Sequence, residues 1–153
     1  MVPVRQRLLV PLDGSPLAEV ALAEALVFAK VLQCEVILLH VIPPIDDIVD
    51  DVEDSSLRQQ VETRKTRALE YLNDICGRAE WRSLPTQVVV EMGRPAETIL
   101  DFAQHQQIDR IVMSTHGRTG LGRWVYGSVA DKVLRAADRT IVLTSAGRPP
   151  EIV

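Results

Sequence analysis

Five short apolar runs alternate with four amphipathic segments along this chain, and that alternation constrains its fold more than any other feature. The runs are Arg7–Leu12, Glu35–Ile42, Thr86–Glu91, Arg110–Ser114 and Thr140–Thr144. Apolar runs of this length suit strands buried on both faces. Between them, apolar residues recur at steps of three and four. They are Ala18, Ala21, Leu22, Ala25, Ala29 and Leu32, then Leu57, Val61, Ala68, Leu72, Ile75 and Cys76, with a stop near Gly77. Ala96, Ile99, Leu100 and Ala103 follow, and Val125, Val129, Val133 and Ala137 close the series. Such spacing lays one face of a helix on a core. Ser15-Pro16 reads as a helix start, with Ser as N-cap and Pro at the first helical position. Unbroken alternation implies a doubly wound, open, parallel five-stranded sheet in three α/β/α layers, joined by right-handed crossovers.

At 153 residues, with no internal repeat and no linker, the chain reads as one domain over residues 1–147 with a tail at 148–153. Aromatic residues make up only 4%, so the core must be built from Val, Leu, Ile and Ala. A net charge of −4 argues against non-specific nucleic-acid binding, which needs clustered Lys and Arg. The opening Met1–Arg7 has no apolar signal region, and no run approaches the ~20 apolar residues of a membrane span. A cytoplasmic location is therefore expected. Cys34 and Cys76 have no metal-like spacing and read as small core hydrophobes. The acidic stretch with Asp46, Asp47, Asp50, Asp51, Glu53 and Asp54 reads as a solvated loop, or as a lid that helps hold a cation over a ligand.

In open parallel α/β sheets, ligands bind beyond the carboxyl ends of the strands, where strand order reverses. Three segments qualify here: Asp13-Gly14-Ser15, Val41-Ile42-Pro43, and Ser114 to Gly122. The third is followed by Gly127-Ser128 at the opening of the last helix, where free N–H groups and the helix dipole favour an anion. Glycines at 117, 120 and 122 let the backbone approach a ligand closely. Hydroxyls of Thr115, Thr119 and Ser128, with Arg118 or Arg123, supply further donors. Together these residues have the pattern of a phosphate cradle. It is not a Walker A loop, because Arg123 stands in the Lys position with no Ser or Thr after it. It is not a dinucleotide fingerprint either, because Val125 takes the third glycine position.

The chain resembles the universal stress protein family. The resemblance runs through Val10-Pro11-Leu12-Asp13-Gly14-Ser15, Leu39-His40-Val41, Gly93-Arg94-Pro95, and Ser114 to Ser128. ATP-binding members carry a glycine, two residues, a second glycine, nine residues, then Gly and Ser or Thr. Gly117, Gly127 and Ser128 match with the nine-residue gap, while Ser114 stands where the first glycine would be. The resemblance implies an adenine nucleotide alpha hydrolase-like fold with strand order 3-2-1-4-5. It implies that Pro11 and Val41 contact adenine, and that Asp13 bonds the nucleoside or helps organise a metal. His116, Gly117, Arg118, Thr119 and Gly120 would wrap ribose and phosphates near Ser114. Gly127, Ser128 and Val129 would present donors to the phosphates of ATP, AMP or ADP, with Mg²⁺ bridging phosphate oxygens. It also implies a homodimer through the fifth strand, at Ile141, Val142 and Leu143.

Plainer readings stand beside these. Asp13 is also suited to an Asx-turn with Gly14 and Ser15. His40 reads as a satisfied core or edge histidine, and His116 as a phosphate neighbour, not a catalytic base. Trp124 and Tyr126 read as packing or interface residues. No catalytic residue stands out: nothing is placed to direct an attacking water, and there is no Walker B acid. Slow or no ATP hydrolysis is expected from a regulatory domain. The alternative is a dimeric interaction module that binds no nucleotide. Adenylyl-transfer chemistry is disfavoured, because His116-Gly117 lacks the second His of an HxGH motif and Leu12-Asp13-Gly14-Ser15 does not match SGGxDS.

Overall fold

The computed structural model describes residues 5–45, 55–115, 117–118, 124–125 and 127–145. Strands β1 (Arg7–Pro11), β2 (Glu35–Ile42), β3 (Thr86–Met92), β4 (Arg110–Thr115) and β7 (Thr140–Ser145) form a five-stranded sheet. Every pairing in it is parallel, and the order is β3-β2-β1-β4-β7. Numbering only these five strands, that is the expected 3-2-1-4-5. Helices α1 (Pro16–Leu32), α2 (Ser55–Gly77), α3 (Pro95–His105) and α4 (Ser128–Ala136) fill the crossovers.

Period-two alternation divides each strand between two cores. Leu8, Val10, Val36, Leu38 and Val112 meet Ala21, Leu22, Ala25 and Ala29 of α1 and Leu72 and Ile75 of α2. Leu9, Ile37, Leu39, Ile111 and Met113 meet Ala96, Ile99 and Ala103 of α3 and Ala130 and Val133 of α4. The strands are continuously apolar because both faces are covered. Ser15 caps α1 as expected, its Oγ accepting from the Ala18 amide at 3.1 Å.

Several expectations need correction. Leu32 does not join the buried face of α1; it sits at the last turn and is exposed. Val125 belongs to a short strand and Ala137 has extended geometry, so α4 is shorter at both ends than its apolar spacing implied. Within the glycine-rich loop, Gly117–Arg118 (β5) and Trp124–Val125 (β6) pair antiparallel. The acidic stretch 46–54 and the tail 148–153 lie outside the described residues. Among the described residues, no helix is long and apolar enough to cross a membrane.

Two long-range ties lock the amino end of the sheet. Arg139 donates from one guanidinium nitrogen to the carbonyls of Ala103 and Ile108, at 2.6 and 2.8 Å. Arg7 donates to the Gln106 carbonyl and pairs with Glu35. At the other end, Gly93 (φ +152°) turns the chain from β3 into α3 while its amide donates to the Ile42 carbonyl. A Cβ there would collide with Thr98 Oγ1. Gly93→Ala is expected to cost about 1–3 kcal/mol from backbone strain alone. Urea denaturation should show a lowered midpoint; an unchanged midpoint would contradict the strain.

Candidate functional site

The sheet opens between its central strand β1 and the neighbouring β4, and a proline explains where. The Leu12 amide donates to Leu39 of β2, so by alternation the amide position of residue 11 faces β4. Pro11 has no hydrogen to donate there. Register pairing of β1 with β4 accordingly ends at Leu9–Ile111, while β4 continues beside β7 to Thr115. The carboxyl ends of β1 and β4 therefore part at the point where strand order reverses.

A cavity of about 520 Å³ occupies this crevice, a volume suited to a small-molecule ligand. Its walls are largely apolar: Pro11, Leu39, Val41, Pro43, Ile99 and Met113. Asp13, Ser114 and Ser128 add polar groups. Asp13 Oδ1 accepts from the Ser15 amide at 2.8 Å, so the Asx-turn forms, with Gly14 left-handed at φ +85°. The turn uses one carboxylate oxygen, and Asp13 remains exposed beside the cavity.

On the far wall, α4 starts at Ser128 with Gly127 as its N-cap, a residue with no side chain to satisfy the first-turn amides. The first intrahelical amide bond is Asp131 to Gly127, which leaves the earlier amides of the first turn without an intrahelical partner. Gly127, Ser128 and Val129 all line the cavity. An anion held there would meet free N–H groups and the positive end of the helix dipole.

Seven of the residues expected to contact a nucleotide line this one cavity: Pro11, Asp13, Val41, Ser114, Gly127, Ser128 and Val129. Gly117 and Arg118 lie in β5. His116, Thr119 and Gly120 lie outside the described residues. Sequence reasoning missed Pro95 and Ile99, which reach the site because α3 covers this end of the sheet. It also missed Leu39, although Leu39 shares a face with Val41 two residues on.

His40 departs from its expected role. It is half-buried, it lines the cavity, and its buried Nδ1 has no hydrogen-bond partner among the described residues. Burial lowers its pKa below the ordinary 6.5, and the nearby Asp13 carboxylate and the Leu12 backbone only partly offset this. The folded chain thus holds the ring neutral where the unfolded chain takes up a proton. This contribution to stability is fully present above pH 6.5 and declines as pH falls toward the folded pKa. An NMR titration of the ring should show a midpoint below 6.5. A midpoint at or above that value would contradict the burial argument.

Fold and site together define a doubly wound α/β domain with a ligand-sized crevice at its switch point. The model of the Universal stress protein family matches residues 5–144, and the chain belongs to that family. Universal stress protein MJ0531 of Methanocaldococcus jannaschii is 31% identical over 132 residues, covering 86% of this chain and 77% of that protein. The structure of MJ0577 from the same organism is 27% identical with a TM-score of 0.75, covering 94% of this chain and 98% of the other. A universal stress protein solved in complex with cAMP shares the fold at 19% identity and a TM-score of 0.64, over 92% of this chain and 97% of that one.

Proposed function

We propose that this chain is an adenine-nucleotide-binding universal stress protein, working as a nucleotide-dependent regulatory or stress-response dimer with slow or no ATP hydrolysis. The observation that carries this is the glycine-capped start of α4 lining a largely apolar crevice of about 520 Å³. Those two features match the two halves of a nucleotide. The base would lie against Pro11, Leu39, Val41 and Pro43, and the phosphates would take the amides at Gly127–Val129. His116, Gly117, Arg118, Thr119 and Gly120 would close over ribose and phosphates. The family member solved with cAMP supports an adenine nucleotide as the ligand class.

Mg²⁺ fits as a phosphate-bound ion. It favours one or two carboxylates plus phosphate oxygens and water, and Asp13 is the carboxylate lining the cavity among the described residues. Dimerisation would use β7, an edge strand whose Ile141, Val142 and Leu143 are half-buried. Pairing would cover an edge that otherwise invites aggregation.

Nucleotide extracted from denatured purified protein should contain ATP, ADP or AMP in near-stoichiometric amount. Sedimentation equilibrium should give the mass of two chains. Protein free of nucleotide that also fails to take up added ATP would instead support a dimeric interaction module, with Ser114 in place of glycine as the residue to examine.

A further inference from the structure

A second cavity, of about 700 Å³, lies on the α2 side of the same sheet end. It shares His40 and Pro43 with the first, but α2 lines only this one. Arg64, Arg67, Ala68 and Tyr71 stand at i, i+3, i+4 and i+7, a single stripe of that helix. Toward the carboxyl end the stripe enters the core through Leu72 and Ile75. Toward the amino end it brings the exposed Arg64 and Arg67 to a cavity whose other walls include Ile42, Pro44 and Ile45.

Among the described residues, these arginines carry no ion pair that would compete with a ligand, unlike several of the chain's basic groups. Arg7, Lys65, Arg78, Arg94, Arg135 and Arg139 each have a carboxylate within ion-pair distance. Arg64 and Arg67 have none among the described residues, in a protein of net charge −4. Tyr71 is already engaged, its hydroxyl donating to Glu19 at 3.0 Å, and its ring meets His40 edge-on. It therefore offers an aromatic wall and no free donor, which leaves the arginines as the charged recognition element.

We propose that this cavity binds a small organic anion, its carboxylate or phosphate held by Arg64 and Arg67 and its apolar body lying against Tyr71, Ala68 and Ile42. Guanidinium groups suit such oxyanions through charge-assisted hydrogen bonds. Of the two cavities, Arg64 and Arg67 line only this one.

Anilinonaphthalene sulfonate, an aromatic anion, is a suitable probe for fluorescence titration at low salt. It should bind the full chain saturably, with amide NMR shifts centred on Gly14, Ile45, Arg64, Arg67 and Tyr71. The double variant Arg64→Gln/Arg67→Gln should bind it about tenfold more weakly or worse, the scale set by losing charge-assisted contacts. Neither arginine makes a hydrogen bond among the described residues, so the variant should keep the wild-type circular dichroism. Phenylnaphthylamine, which has similar rings and no charge, should bind both proteins equally. Equal dye affinity in the variant, or shifts confined to Gly127–Val129, would overturn the proposal. Displacement of the dye by phenyl phosphate or by benzoate would distinguish a phosphate from a carboxylate ligand, and displacement by neither would overturn it.

Discussion

Gly127→Val is expected to weaken ATP binding by about a hundredfold or more, or ~2.7 kcal/mol. Gly127 is the N-cap of α4 and lines the crevice. A branched side chain there would take the space in which a phosphate meets the helix amides. The fold should survive, because φ −61° and ψ 157° at Gly127 lie in a region open to any residue. Valine is a poorer N-cap than glycine, so thermal stability should fall modestly while circular dichroism is unchanged. Calorimetry with Mg²⁺ checks the affinity. ATP binding by a folded Gly127→Val protein at wild-type affinity would remove the phosphates from this helix start.

Trp81→Ala is expected to be the most damaging core substitution, at about 3–5 kcal/mol. Trp81 is buried at 2% exposure and packs in the core between the sheet and helices α1 and α2. It sits in consecutive turns after α2, where Arg78, Trp81 and Leu84 donate amides to Ile75, Arg78 and Trp81 in turn. A domain of this size has about 5–15 kcal/mol in total, so the variant should unfold at much lower urea with an unchanged slope. A loss typical of a surface position would mean that the turn, not the indole, closes this core.

Trp81 also shows where the sequence was opaque. The strands and the buried faces of α1 and α3 were legible because continuous runs and steps of three and four map directly onto burial. Trp81 belongs to no periodic segment, so its burial depends on how the connection after α2 folds back on the sheet. The short ends of α4 were misread for a related reason: Val125 and Ala137 continue a helical spacing, but each has extended backbone. The crevice was legible as to place, since Pro11, Val41, Ser114 and Gly127 follow or end parallel strands or open a helix. Its α3 wall was not, because Pro95 and Ile99 arrive through tertiary packing. Nor was the unsatisfied Nδ1 of His40 legible, because solvation and partners depend on packing as well as on residue type.

The most direct test of the central claim is calorimetric titration of the wild-type chain, stripped of bound nucleotide, with ATP and Mg²⁺. Saturable binding of one nucleotide per chain, accompanied by amide NMR shifts at Val41, Ser114 and Gly127–Val129, is the predicted result. A folded chain that releases no heat and shows no shift at saturating ATP would contradict it.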